Sequence, residues 1–201
     1  MACTAADVVA AIRRAAAVIE QENVRLTDLD RAIGDGDHGA NLNRGFKAVL
    51  AKLDETDPDT PAAALKLVAT TLIFTVGGAS GPLYGTAFLR AATAVGDAAE
   101  LDAAAVRAAL TAARDGVMSR GKAQPGDKTM VDALVPAAEA AEGDSPAAVV
   151  HAAATAAEQG AEATRPLVAR KGRASYLGER SADHLDPGAV STSLVLRALA
   201  G

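Results

Sequence analysis

The sequence predicts an all-α protein. Apolar residues recur at helical spacing along most of the chain, capping oxygens stand before prolines where helices would begin, and no apolar–polar alternation of useful strand length is present. Val8, Ile12, Ala15 and Ile19 fall at i, i+4, i+7 and i+11, so they share one face of a helix expected over about residues 4–22. Leu65, Val68, Leu72 and Val76 repeat the spacing, as do Val106, Leu110, Ala113 and Val117. Thr60-Pro61, Ser145-Pro146 and Asp186-Pro187 each put a capping oxygen before a proline whose missing N–H is no loss at the first helical position, which predicts three helix starts. Segments near 41–53, 82–95, 128–141 and 146–168 bring the total to about eight helices on short connections, a pattern that makes sequential helices antiparallel neighbours. Pro166 lies inside the last of these segments and predicts a kink or an early end.

Half of the 201 residues are hydrophobic, enough for one domain spanning 1–201 that buries roughly 70% of the unfolded surface. Aromatic residues are 2% and tryptophan is absent, so the core must be aliphatic and alanine-rich, which lets helices approach closely. The net charge of −5, without a basic stripe, argues against a nucleic-acid partner. Cys3 is the one cysteine, so no intrachain disulfide is expected; with no signal-like leader or membrane-spanning apolar run, the expected location is the cytoplasm.

Three polar, glycine-rich segments interrupt the apolar pattern. In Asp30–Asn41, three carboxylates (Asp30, Asp35, Asp37) lie within eight residues, interleaved with Gly34, Gly36 and Gly39. If they converge, each pair of charges ~4 Å apart repels by ~4 kcal/mol at an effective dielectric of 20, so a cation is needed. An all-oxygen donor set selects magnesium or calcium over zinc. An exposed acidic turn is the bland alternative. An EF-hand starting at Asp35 is excluded, because Gly39 and Phe46 stand where further ligands belong. The G-x-G-x-x-G spacing of Gly34, Gly36 and Gly39 follows no strand and is accidental. In Gly77–Gly85, Ser80 and Pro82 open a helix whose free N–H groups could cradle an anion. Gly121–Met130 is not a P-loop, because Asp127 separates Gly126 from Lys128; Thr129 and the next helix start remain candidates for a ligand, with Lys128 read as a solvated charge. Arg173, in Lys171–Arg180, could reach a phosphate. His151 and His184 have no triad-like context.

Together these segments resemble the L subunit of dihydroxyacetone kinase, also found as the second domain of single-chain dihydroxyacetone kinases. The likeness runs through Leu29–Phe46, Val76–Leu83, Ser119–Ala123, Pro125–Met130 and Ala169–Ser181, in order and nearly from end to end. It implies an antiparallel barrel of eight helices with a nucleotide site in the loops at one end. It also implies that Asp30, Asp35 and Asp37 hold two magnesium ions bridging the phosphates of ADP or ATP. The rest of that site would be lined by His38, Gly39, Ala40, Asn41, Ala79, Ser80, Gly121, Thr129, Met130, Arg173, Asp186, Pro187 and Gly188.

By the same resemblance, tightly bound Mg-ADP is phosphorylated by a phosphohistidine on a phosphotransferase-system partner, the M subunit. The phosphoryl group then passes to dihydroxyacetone on the K subunit. Such a role asks for positioning and charge neutralisation without a protein nucleophile, consistent with the absence of any nucleophile–base constellation and with no catalytic residues beyond the metal ligands. Two other readings stay open: the L half of an ATP-dependent dihydroxyacetone kinase, and a module whose nucleotide state is read by a transcription regulator.

Overall fold

Five helices begin where a side-chain oxygen accepts a free N–H group of the first turn. Thr4 and Asp7 cap each other reciprocally, and Thr60, Asp102, Ser145 and Asp186 each accept from the backbone N–H three residues on. The computed structural model describes residues 2–201. Its eight α-helices are α1 (Ala5–Ile33), α2 (His38–Glu55), α3 (Pro61–Thr75), α4 (Ser80–Val95), α5 (Ala103–Gly121), α6 (Val131–Glu139), α7 (Pro146–Ala163) and α8 (Pro187–Ala200). A 3-10 segment, Arg173–Ser181, lies between α7 and α8. All three proline-led starts are where the sequence predicts them.

Each helix packs on its neighbours in sequence, and α8 packs on α1, so the eight close into an up-and-down barrel. Connections α1–α2, α3–α4, α5–α6 and α7–α8 therefore share one end. At the other end β1 (Cys3–Thr4) pairs antiparallel with β2 (Glu100–Leu101), a contact too short to leave an alternating signature. The interior is aliphatic as expected: Ile12, Ile19, Leu42, Val49, Val149 and Ala153 are all essentially inaccessible. Full burial of each large one contributes about 1.5–3 kcal/mol. Side chains including Ile12, Phe88, Leu134 and Leu196 surround an apolar cavity of about 180 Å³. No helix is long and apolar enough to cross a membrane among the described residues.

Two boundaries differ from expectation, and a third shows the early end, not the kink, of the two outcomes expected at Pro166. Helix α1 continues to Ile33, because Leu26 and Ile33 extend the Ile19 face and are buried, so Asp30 belongs to its last turn instead of a loop. Helix α6 starts at Val131 and not near 128. Helix α7 stops at Ala163: the Thr164 hydroxyl donates to the Ala161 carbonyl and accepts from the Asp186 N–H, and Pro166 cannot continue the ladder.

Lys128, expected to be solvated, is 1% exposed with left-handed backbone, φ 60°. Its ammonium donates to the carbonyls of Thr164 (2.8 Å), Leu167 (3.0 Å) and His184 (2.6 Å), with Arg165 at 3.3 Å. The Thr164, Arg165 and Leu167 carbonyls follow the C-terminal end of α7, where the helix dipole favours a cation, and the His184 carbonyl comes from the approach to α8. Lys128 thus laces the α5–α6 connection to the α7–α8 connection, helped by the Arg170 N–H donating to the Asp127 carbonyl. Beside it, the buried Asp186 carboxylate accepts from the Ala189 N–H at 2.7 Å. Burial pushes the Asp186 carboxyl up to about 7, opposed by the Ala189 N–H, reinforced by Asp132 and opposed again by Lys128.

Replacing Lys128 by methionine leaves several buried carbonyls without a donor and is expected to lower unfolding free energy by about 3 kcal/mol in ligand-free urea denaturation. A loss under about 1 kcal/mol would contradict the strut. Asp186 gives a pH signature. Its folded pKa, about 7, lies above the ordinary 3.8, so its contribution is full below that ordinary value and is lost as pH rises toward 7. Relative to Asp186→Asn, the unmodified protein should lose up to about 1.4 kcal/mol per pH unit across this window. Parallel stability–pH curves for the two would refute it.

Candidate functional site

The barrel brings its glycine-rich connections to one end, and the acidic loop is the tightest of them. Gly36 turns the chain with φ 72°. Gly39 sits so close to α1 that a side chain there would meet the Asn23 carbonyl at 2.0 Å. The loop is thereby pinned, and Asp30 is folded beneath the start of α2: its Oδ2 accepts from the N–H groups of Asp37 (2.8 Å) and His38 (3.1 Å). Asp35 and Asp37 are exposed. One carboxylate oxygen from each of Asp30, Asp35 and Asp37 lies within 4.8 Å of the others. Such a set is oxygen-only and strongly repulsive, which fits a hard divalent cation. Arg173, from the 3-10 segment, pairs with Asp35 at 2.5 Å across the loop.

Helix α4 supplies the facing wall. No side chain caps α4, and the hydroxyl of its first residue, Ser80, meets His38 Nδ1 at 3.1 Å. The first-turn N–H groups of α4 are thus free for an anion. His38 Nε2 meets Ser191 Oγ at 2.8 Å, and Ser191 meets the Tyr84 hydroxyl at 2.7 Å, a buried polar chain joining α2, α4 and α8. Burial pushes the His38 imidazole down against the pull of Asp30 and Asp37, and pushes the Tyr84 phenol up to about 12. On the third side the Asp132 carboxylate accepts from the Gly126 and Thr129 N–H groups, and the Thr129 hydroxyl accepts from Val131 N–H, so the start of α6 is held from within.

Asp30, Asp35, Asp37, His38, Ala79, Ser80, Thr129, Met130, Arg173, Asp186, Pro187 and Gly188 line one cleft of about 260 Å³. Four expected residues do not line it. Gly39 packs on α1, Ala40 is exposed on α2, Asn41 Oδ1 accepts from Arg44, and Gly121 lies behind Leu83. The cleft has members that sequence reasoning passed over: Ile33 and Leu83 as apolar surface, Lys128 and Tyr84 as buried polar walls. One signal pointed that way: Ser191-Thr192-Ser193 is a run of hydroxyls inside an otherwise apolar helix, and all three are buried.

Four helices, α2, α4, α6 and α8, begin around this cleft, so their positive ends converge on it while three carboxylates stand at one side. The arrangement suits a polyphosphate whose charge is shared between backbone N–H groups and divalent cations.

The model of the DAK2 domain matches residues 32–201. The PEP-dependent dihydroxyacetone kinase ADP-binding subunit DhaL of Escherichia coli K12 is 44% identical over all of this chain and 98% of its own length. The PTS-dependent counterpart of Lactococcus lactis is 41% identical over 90% of this chain and 88% of its own. Triokinase/FMN cyclase of Rattus norvegicus is 40% identical over 87% of this chain, which spans 31% of that protein. Among solved structures, the dihydroxyacetone kinase of C. freundii superposes on 96% of this chain with a TM-score of 0.73 and 26% identity, and this chain spans 34% of it. The complex of that kinase with AMP-PNP and Mg2+ gives a TM-score of 0.72 and 27% identity. The chain belongs to the DAK2-domain family, whose members similar to it are dihydroxyacetone kinases, their ADP-binding subunits and related kinases.

Proposed function

We propose that the chain is the ADP-binding subunit of a phosphotransferase-system-dependent dihydroxyacetone kinase. It would carry a phosphoryl group from a phosphohistidine on an M subunit to dihydroxyacetone on a K subunit, in the cytoplasm. One observation carries this reading: three carboxylates within 4.8 Å of one another share a cleft with the starts of four helices. The similarity to ADP-binding subunits over nearly their whole length supports it.

Asp30, Asp35 and Asp37 are the residues that would hold two magnesium ions. Magnesium bound there supplies charge neutralisation for the phosphate tail. The chain's own groups do the rest. Asp30, buried and fixed by two N–H donors, sets where the other two carboxylates meet. The first turn of α4 and the Ser80 hydroxyl orient phosphate oxygens, and Arg173 reaches the same tail from the rim. Ala79, Thr129, Met130, Pro187 and Gly188 shape the cleft around the nucleotide, and Asp186 holds the start of α8. No nucleophilic side chain is required, because the acceptor and the donor belong to other subunits.

The AMP-PNP complex of the C. freundii kinase favours a second reading, in which ATP exchanges freely from this cleft. The two differ in turnover. With K subunit, dihydroxyacetone, phosphotransferase proteins and phosphoenolpyruvate, sustained product is expected; with ATP replacing the phosphotransferase proteins and phosphoenolpyruvate, product should stop near one equivalent per chain. Sustained turnover on ATP alone would establish the second reading instead.

In a thermal melt, magnesium with ADP at a thousand times its dissociation constant should stabilise the chain by ~4 kcal/mol, and chelator should remove the effect. Asp37→Asn should abolish that stabilisation and lower phosphoryl transfer at least about a hundredfold. A melt indifferent to magnesium and ADP, or an Asp37→Asn chain with full activity, would refute the site assignment.

A further inference from the structure

His38 has both ring nitrogens committed inside the protein, and their partners form a chain that ends at the cleft. The Tyr84 hydroxyl lies 2.7 Å from Ser191 Oγ and 3.0 Å from Thr192 Oγ1. Ser191 Oγ lies 2.8 Å from His38 Nε2, and His38 Nδ1 lies 3.1 Å from Ser80 Oγ. Tyr84, Thr192, Ser191 and His38 are buried; Ser80 alone is partly open.

Each hydroxyl brings one proton, so the chain's direction follows from which acceptor each one takes, and the distances choose between them. Thr192 donates to the Gly188 carbonyl at 2.8 Å. Ser191 has two acceptors in reach, His38 Nε2 at 2.8 Å and the same Gly188 carbonyl at 3.1 Å, and the shorter contact is the one to the imidazole. Tyr84, whose phenol burial pushes up to about 12, keeps its proton and donates to Ser191. Nε2 is then an acceptor, a neutral ring carries its proton on Nδ1, and Nδ1–H donates to Ser80 Oγ. Ser80 has no other hydrogen-bond partner among the described residues, so its own proton turns into the cleft beside the free N–H groups of α4. The opposite direction would aim a lone pair at the ligand and repel an anion.

We propose that Tyr84 and Ser191 are positioning residues that hold His38 in its Nδ1–H tautomer, and that Ser80 is thereby fixed as a hydrogen-bond donor to an anionic ligand oxygen. The identity of that anion as a nucleotide phosphate rests on the function proposed above.

The tautomer can be read directly. The chain has three histidines, and His151 and His184 are exposed, so long-range ¹⁵N–¹H correlation spectra contain few signals, and His38→Asn identifies the one of interest. The ligand-free protein should show His38 protonated on Nδ1 with Nε2 in the range of a hydrogen-bond acceptor, and Tyr84→Phe should shift the balance toward Nε2–H. In titrations with Mg-ADP, Ser80→Ala and Tyr84→Phe should each raise Kd about tenfold, and the double variant should bind no more weakly than Ser80→Ala. An Nε2–H tautomer in the unmodified protein, or losses that multiply in the double variant, would overturn the proposal. If the unmodified protein fails to bind Mg-ADP, the nucleotide reading falls, while the ligand-free tautomer still decides the direction of the chain.

Discussion

The architecture rests on a constraint of connectivity: an even number of helices, each running against the one before, must start every second helix at the same end. Here α2, α4, α6 and α8 all start at that end, and α1, α3, α5 and α7 all finish there. Each start carries a partial positive charge that contributes about 0.3–1 kcal/mol toward a nearby anion, and the uncapped first turn of α4 leaves its N–H groups free. Each finish offers carbonyls and the opposite sign. Negative and positive ends alternate around one rim, which is the pattern a polyphosphate bridged by divalent cations can use. Asp30, in the last turn of α1, places a carboxylate on the negative side of this division, while the uncapped start of α4 lies on the positive side.

Much of this was legible in the sequence, because the signals are local. A capping oxygen before a proline is a two-residue event, and all three such pairs open helices. Three carboxylates among glycines are also a local pattern, and they do converge. What could not be read depends on residues far apart in the chain. The carbonyls that hold Lys128 lie 36 to 56 positions downstream and carry no side-chain signature, so the lysine reads as solvated when it is buried. Tyr84 meets Ser191 across 107 positions. The length of α1 was missed for a different reason. Beyond Ile19 the only buried apolar residues are Leu26 and Ile33, one every two turns, too sparse to stand out from a polar surface. Gly39, expected among the ligand contacts, is the residue that lets α2 come against α1.

The three aspartates are not equivalent. Asp30 is buried and already satisfied by two backbone donors, so its position is set by the fold whether or not a cation is nearby. Asp35 and Asp37 are exposed and positioned by the loop. The Arg173–Asp35 pair links that loop to the 3-10 segment, with side chains 68% and 38% exposed. A pair so open to water is worth no more than about 1 kcal/mol, so a divalent cation competing for Asp35 can displace it. On the proposed reading, the displaced guanidinium is then already at the rim, within reach of the phosphate tail.

Buried polarity in this protein is unevenly distributed. Most of the barrel interior is aliphatic, and Lys128, Asp186, His38 and the Ser191–Ser193 hydroxyls gather at the end that holds the cleft. An unpaired polar group at that depth would be destabilising by about 1–3 kcal/mol, so each must be held by a specific partner in a specific direction. That requirement turns a stability problem into rigidity. Lys128 can satisfy its donors only if the α7–α8 connection stays against the α5–α6 connection, and His38 can satisfy its ring only if α2, α4 and α8 keep their spacing. Groups that face the cleft, such as Ser80 and the α4 N–H groups, inherit their orientation from partners that solvent and ligand do not reach.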